Sequence, residues 1–459
     1  MGMSGRILML TSTWDSEYSN AMIAGILDRI GDRDYELHIF NAYDGLLESG
    51  YFSKGREVYS LPDPTRYDGL LIALSTVESV KYVSGITQKF HEYNKPIVGI
   101  DTHAENAIFC GLDNYRSMYQ LVEHMITIHD CRTLNYLGGP EDNSENMERY
   151  KAFCDCLEAH GIKVQKKRVL HKRFIKPDGV EAYNEWKEMG VHMADAVICA
   201  NDFMALGYVD AATRDGISIP DYMKVTGFDN IVEAQKYSPS ITSVNRNWKS
   251  LGYEATDALF EALDGATEYD TRYVEGYTVF NESCGCDLSR DIGSDYNELV
   301  KRSKKDQEVA TRHSYTRQLL LQSRTIEEYE AALSRAKEFL EIEDVAVCLN
   351  RTFFDGEPDL KKVGYDDDIT IYTDEGSEQI DSRERIFPPK WKGKYKAYVF
   401  ASLRSSDQTF GYTVIPYTSD FFTRLKHSVF VESLSISVES VNQRIAIEKL
   451  KEKLTKTEK

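Results

Sequence analysis

Residues 194–230 read ADAVICANDFMALGYVDAATRDGISIPDYMKVTGFDN. A hydrophobic run, Ala196 to Ala200, stops at the polar pair Asn201-Asp202, a helical pattern follows, and a second apolar run ends in Gly227-Phe228-Asp229. Strand, helix and strand in that order describe a βαβ unit with parallel strands. In an open parallel sheet, residues at the carboxyl ends of strands face the crevice where ligands bind. Asn201, Asp202 and Asp229 are therefore candidate ligand-facing groups.

The same alternation extends in both directions. Short aliphatic or β-branched runs occur at Ile7-Leu10, Glu36-Phe40, Gly69-Leu74, Pro96-Ile100 and Thr133-Gly138 before the opening segment, with amphipathic stretches between them such as 18–30, 78–93, 115–129, 145–160, 179–190 and 202–215. So many strands over about 280 residues exceed one ordinary domain, yet no Pro/Gly/Ser-rich linker divides them. Two lobes joined by a chain that crosses more than once need no such linker. Crossings are expected near Phe109-Gly111, Thr242-Asn245 and Thr267-Thr271, with a cleft between the lobes. The expected ligand-binding domain is 1–287, with lobe one at about 5–110 and 246–268 and lobe two at about 111–245 and 269–287.

Beyond 288 the texture changes. Residues 288–342 are charged and helix-forming, and Thr325-Ile-Glu-Glu328 predicts a capping box opening a helix to about Leu340. Strand-like runs at Val345-Leu349, Ile369-Tyr372, Tyr395-Phe400 and Thr409-Pro416 predict a small α+β domain over 343–418. In 419–459, Leu434, Val438, Val441 and Ile445, then Ile447, Leu450 and Leu454, form a helical stripe with one phase slip. That stripe predicts a coiled-coil helix pairing two copies; a single amphipathic helix folded onto the small domain is the alternative, and each can hold for different turns.

Bulk properties bound the function. The 459 residues are 42% hydrophobic and carry a formal net charge of −19. A chain so acidic repels phosphate backbones, and no dense Lys/Arg cluster offsets this, so DNA contact is expected only through an output domain outside this sequence. No run of about 18 apolar residues and no signal-like start occurs, which predicts a cytoplasmic protein without a membrane contact. Eight cysteines fit a reducing compartment. Cys154-Asp-Cys156 and Cys284-Gly-Cys286 are too close in sequence for a usual structural zinc site and have no His-rich partner segment, so no metal ligands and no cofactor are expected.

Other strand ends repeat the opening pattern: Thr11-Ser12-Thr13-Trp14-Asp15 after the first run, Ser75-Thr76 after the third, Asp101-Thr102-His103 after the fourth. Arg149 lies in a helix after the Gly138-Gly139-Pro140 turn. The candidate ligand-binding set is Trp14, Asp15, Ser75, Asp101, Arg149, Asn201, Asp202 and Asp229, and none is assigned a catalytic role. Carboxylates, an amide, a guanidinium and an indole suit a polyhydroxylated ligand, because planar donors and acceptors grip adjacent hydroxyls while an aromatic face covers the C–H surface. Each has a structural alternative: Asp202, Asn201 and Asp229 as caps or turn holders, Arg149 as an ion-pairing residue, Trp14 as core.

The opening segment resembles the ligand-binding core of the lac repressor family, in the pattern strand, N-D-x-x-A-x-G, helix, G-I-x-[IV]-P, strand, G-[FY]-D. Asn201, Asp202, Ala205, Gly207, Gly216, Ile217, Pro220, Gly227, Phe228 and Asp229 match it. YLGGPEDNSENMERYKAFCDCLEAHGI resembles the family's G-G, spacer, R-x-x-G-F segment, with Arg149 at the Arg and Ala152 in place of Gly, and SPSITSVNRNWKSLG resembles its crossover back to the first lobe. The resemblance covers about 6–287. It implies an α/β, two-lobed periplasmic-binding-protein-like (type I) fold with parallel sheets, closing on a small polar ligand, often a sugar. It also implies that Arg149, Asn201 and Asp229 touch that ligand while Asp202 holds the binding loop. The family's helix-turn-helix headpiece of roughly sixty residues has no room before Ile7.

The order of sensor, helix, small domain and terminal helix resembles the sensory half of bacterial signalling proteins with a GAF- or PAS-like domain, whose output is an AraC-type DNA-binding or a GGDEF diguanylate cyclase domain. The expected function is a homodimeric ligand sensor of a transcription regulator or signalling protein; the alternatives are the sensory half of a diguanylate cyclase and a non-binding dimerisation scaffold. No G-x-S-x-G, H-E-x-x-H, phosphate loop or G-x-G-x-x-G supports an enzyme. Asp229→Ala or Arg149→Ala is expected to abolish a ligand-induced melting shift while leaving the unliganded protein almost as stable. Truncation at about 290 is expected to leave binding intact.

Overall fold

The computed structural model describes residues 5–12, 17–31, 33–43, 54–74, 77–266, 270–286, 292–351, 353, 364–405, 408–419 and 426–457. Seventeen strands among them fall into two sheets: β1 (Gly5–Thr11), β2 (Tyr35–Asn41), β3 (Gly69–Ala73), β4 (Ile97–Ile100), β5 (Ile108–Leu112), β6 (Leu134–Gly138), β7 (Val169–His171), β8 (Ala196–Cys199), β9 (Lys224–Asp229), β10 (Thr242–Asn245), β11 (Arg272–Val274), β12 (Tyr277–Val279), β13 (Ala346–Asn350), β14 (Asp368–Thr373), β15 (Gly376–Asp381), β16 (Ala397–Arg404) and β17 (Thr409–Pro416). Each of the seven runs picked out before residue 230 forms a strand. The chain divides into a first unit of Met1–Gly111, Trp248–Arg272 and Arg302–Lys459 and a second of Leu112–Asn247 and Tyr273–Lys301.

The second unit is built on a six-stranded sheet of order β12-β10-β9-β8-β6-β7, parallel except for β12, which runs antiparallel to β10. All four residues of β8 are buried, as a strand covered on both faces by helices requires. The helices Lys176–Glu188 and Asp202–Arg214 touch through two glycines: a Cβ on Gly207 would stand 1.9 Å from the Lys176 carbonyl oxygen, and one on Gly179 would stand 2.0 Å from that of Met204. This contact explains the Gly of N-D-x-x-A-x-G, since any side chain there would force the helices apart.

In the first unit the sheet order is β11-β5-β4-β3-β1-β2-β16-β17-β13-β14-β15. Residues 343–418, read from the sequence as a small domain of their own, instead supply five strands that continue this sheet. β16 pairs in parallel with β2, Leu37 opposite Ala397 through Phe40 opposite Phe400, and the rings of Phe40 and Phe400 stack with centroids 4.5 Å apart. The remaining pairings, β16 to β17, β17 to β13, β13 to β14 and β14 to β15, are antiparallel. Every residue of β16 and β17 is buried, so both strands lie deep inside a sheet.

Helices cover this extension. Thr325 caps the helix Ile326–Leu340, its hydroxyl accepting from the Glu328 amide, and Glu328 accepts from the Arg324 amide at 2.7 Å. The terminal helix His427–Thr457 buries Leu434, Val438 and Val441, and its Ser435 hydroxyl accepts from the Arg404 amide of β16. Its later turns differ: Ile447, Leu450 and Leu454 are exposed. The reading of an amphipathic helix folded onto the strands thus applies to its earlier turns. No helix among the described residues is long and apolar enough to cross a membrane.

Candidate functional site

The carboxyl ends of β8, β9 and β10 in the second unit end in a charged cluster. Asp229 closes β9 with φ at +102°, and Asn230 follows at +53°. Such backbone angles are uncommon for residues other than glycine and persist only where surrounding bonds hold them. Asp202 is the holder. Its carboxylate is fully buried and accepts from the Ile231 amide at 2.7 Å and from the Ser243 hydroxyl at 2.6 Å, while the Asn230 amide donates to that hydroxyl at 2.9 Å. Gly227 makes room: a Cβ there would lie 2.0 Å from Asp202 Oδ1. Burial, reinforced by the nearby Asp229 charge, holds the Asp202 carboxyl well above the usual carboxylate range.

The Asp229 side chain remains about a quarter exposed, at 26%, with an oxygen 3.5 Å from Arg246 Nη1. Burial raises its carboxyl, and Arg149 and Arg246 pull it back down; the residual exposure further tempers the rise. Arg246 follows β10 and is itself held by Glu145 in a two-pronged pair at 3.0 and 2.9 Å. Asn230 Oδ1, next to Asp229, is buried and has no hydrogen-bond partner among the described residues.

Glu145 and Arg149 stand one turn apart on the helix Ser144–Ala159 and bond to each other at 2.9 Å. Arg149 is 2% exposed and fully engaged: Nε donates to Asn114 Oδ1 at 2.9 Å, Nη1 to the Ala200 carbonyl at 2.8 Å, and the guanidinium lies 3.9 Å over the Phe228 ring. Its partners fasten the end of β8, the start of helix Asn114–Thr127 and the end of β9 to one another. Arg149 is thus the keystone under the cluster.

Asn201, implied by the resemblance to touch a ligand, has both ends of its side-chain amide bonded within the protein. Its Oδ1 caps the helix Asp202–Arg214 by accepting from the Met204 amide at 3.0 Å, and its Nδ2 donates to the Phe174 carbonyl at 2.8 Å. In the first unit Asp101 follows β4 with φ at +47°, and its amide donates to the Cys110 carbonyl at 2.9 Å. Thr102 ties the ends of β3 and β4: its hydroxyl accepts from the Leu74 amide at 3.1 Å and has the Ile100 and Leu74 carbonyls at 2.8 and 3.1 Å as alternative acceptors for its proton. Trp14, Asp15 and Ser75 lie outside the described residues.

Arg246, Glu145 and Asn114 belong to the cluster but not to the set chosen from the sequence. Arg246 was within reach of the strand-end rule, because it follows the run Thr242–Asn245 directly. Glu145 carries only the weaker signal of an acid four residues before an arginine on a helix.

Residues 122–284 match the model of a family described as a periplasmic binding protein-like domain. The HTH-type transcriptional repressor PurR of Actinobacillus pleuropneumoniae is 26% identical over 217 residues, 46% of this chain and 61% of that protein. The repressor of the same name from Pasteurella multocida is 23% identical over 264 residues, 57% of this chain and 75% of that one. The chain therefore spans about three-fifths of the length of the first of these curated relatives. Two solved structures share its fold: the transcription regulator CcpA of Lactococcus lactis, with a TM-score of 0.50 and 19% identity over 61% of this chain and 99% of that one, and a LacI-family regulatory protein of Chloroflexus aggregans, with 0.51 and 16% over 61% and 98%. A regulator CelR solved with cellobiose aligns at 0.50 with 20% identity over 61% and 86%. The α/β architecture is the two-lobed periplasmic-binding-protein-like fold of LacI-family structures.

Proposed function

We propose, from the premise of a periplasmic-binding-protein-like fold, that this chain is the ligand-sensing part of a cytoplasmic transcription or signalling regulator. The ligand is a small hydroxylated molecule, a carbohydrate by the chemistry of the groups that meet it. The observation that carries this reading is Asp229: a partly exposed carboxylate at a strand end, held at φ of +102° and flanked by Arg246 at 3.5 Å. A backbone outlier kept in place by buried bonds is a feature of positioned binding groups. Asp229 accepts from ligand hydroxyls, Arg246 donates, and the lone acceptor Asn230 Oδ1 beside them receives a third hydroxyl.

In this reading Arg149 and Asp202 are positioning residues and Asn201 is a cap. Relatives named as transcriptional repressors support a regulatory output, and a neighbour solved with a disaccharide supports the ligand class. Ligand binding works as a switch only if the ligand favours one conformation over another, by a few kcal/mol for a near-complete shift. A thermal-shift and calorimetric screen of the whole chain against mono- and disaccharides, cellobiose included, tests it. A hit that is lost in Asp229→Asn and Arg246→Ala supports the reading; a hit that survives both substitutions moves the site elsewhere.

A further inference from the structure

Away from the Asp229 cluster, the second unit gathers four metal-ligating side chains from distant parts of the sequence. His124 lies in the last turn of helix Asn114–Thr127, His129 in the loop after it, and Cys284 and Cys286 in the turn following β12. One donor atom from each falls within 4.8 Å of all the others. His124 Nε2 stands 3.1 Å from His129 Nε2, and Cys286 Sγ stands 3.3 Å from the first and 3.2 Å from the second.

These separations approach the edges of a zinc tetrahedron. Zn–N bonds of about 2.0–2.1 Å and Zn–S bonds of about 2.3 Å imply edges of roughly 3.3 Å between nitrogens and 3.6 Å between nitrogen and sulfur. Hydrogen bonding accounts for such a triangle poorly, because one proton can lie along only one edge at a time. A single central cation meets every lone pair together.

The surroundings fit as well. Gly285, with φ at +90°, separates the cysteines by a left-handed turn that a side chain would strain, and it brings both sulfurs to one side. Cys284 is buried, Cys286 exposed and both histidines half-buried, which leaves a route for an ion to enter. The Thr242 hydroxyl lies 2.9 Å from Cys284 Sγ, where it can donate to a thiolate, and the Phe280 ring packs 4.1 Å from that of His124. Mixed nitrogen and thiolate donors select a borderline-soft ion such as zinc over calcium or magnesium.

We propose that His124, His129, Cys284 and Cys286 bind one Zn²⁺ in a closed structural site that clasps the end of helix Asn114–Thr127 to the turn at 282–286. Two thiol protons leave to solvent as the two Zn–S bonds form, and both imidazoles bind neutral, so the loaded site carries no net charge. The close Cys-Gly-Cys spacing argues against zinc when read alone; folding supplies the partner histidines.

The full chain, purified reduced and metal-free, is titrated with Zn²⁺ against a chromophoric chelator and separately with Co²⁺. Expected are one Zn²⁺ per chain and the intense visible bands and sulfur-to-cobalt charge transfer of tetrahedral Co²⁺. Cys286→Ser and His129→Ala sit where the fold tolerates them, which circular dichroism verifies, and each weakens Zn²⁺ binding by about 100-fold, at the upper end of what losing even an outer partner does. Cys154→Ser leaves it unchanged. Absence of stoichiometric zinc, a cobalt spectrum without thiolate charge transfer, unchanged affinity in either ligand variant, or a Cys284–Cys286 disulfide persisting under reducing conditions overturns the proposal.

Discussion

The carboxylate of Asp202 accepts the amide proton of Ile231 at 2.7 Å from inside the protein, and this bond ties the start of one helix to the turn that carries Asp229. Because burial raises the Asp202 carboxyl, the folded state binds its proton more tightly than the unfolded state does. Stability from this group is therefore fully present below the unfolded value near 3.8 and is lost as pH rises toward the folded value. Asp202→Asn keeps the shape, cannot ionise and pairs its amide with the Ser243 oxygen. The variant should gain on the wild type in urea unfolding free energy between pH 4 and pH 7. A difference that is flat or runs the other way refutes the assignment of a raised carboxyl.

Arg149 and Asp229, paired in the sequence reading as ligand contacts of equal kind, should separate experimentally. Arg149→Ala strands Asn114 Oδ1 and the Ala200 carbonyl, leaves Glu145 to Arg246 alone, and opens space over Phe228. Leaving a buried acceptor unsatisfied costs about 1–3 kcal/mol, and two are left here, so the unliganded protein should melt lower. This replaces the expectation of near-normal stability. Asp229→Asn should leave melting nearly unchanged, since Asn tolerates positive φ well, yet should remove any ligand-induced shift. Equal apo stability in the two variants would contradict the burial difference on which the distinction rests.

Removing residues 288–459 should damage the first unit rather than spare it. The cut strips β16 from β2, leaving the Leu37 amide without the Lys396 carbonyl it now meets at 2.9 Å and Phe40 without Phe400. An exposed, flat, apolar strand edge is a template for aggregation. The 1–287 fragment should elute in the void volume or unfold at lower urea than the whole chain, by size exclusion and fluorescence. A monodisperse fragment of full stability would show that the extension merely leans on the sheet.

What was legible in the sequence follows from how local each signal is. Ala196 to Cys199 is apolar throughout because both faces of β8 are covered, and Thr325 with Glu328 marks a helix start within four residues. The pairing of Phe40 with Phe400 has no local signature: strand periodicity tells which faces are buried, never which distant strand lies alongside. The strand-end rule selects Asn201, Asp202 and Asp229 alike. Only side-chain direction separates a carboxylate that holds a turn from one that faces outward, and spacing does not encode direction. His124 and His129 were likewise invisible as partners of Cys284, being brought together by the fold.

The terminal helix offers the last test, because its stripe changes environment along its length. Leu434 and Val438 are buried within the first unit, whereas Leu450 and Leu454 are 59% and 65% exposed. Leu434→Ala should lower the melting point, with about 2–5 kcal/mol lost to transfer and cavity terms. Replacing Leu450 and Leu454 together by Gln should leave unfolding of the monomer unaffected, since neither side chain packs within it. If these turns pair two copies of the chain through a heptad-like seam, the double variant shifts the mass measured by light scattering from dimer toward monomer. An unchanged dimer would place the contact elsewhere, and a wild type that is monomeric at working concentration would leave the exposed leucines as a surface stripe without a second copy.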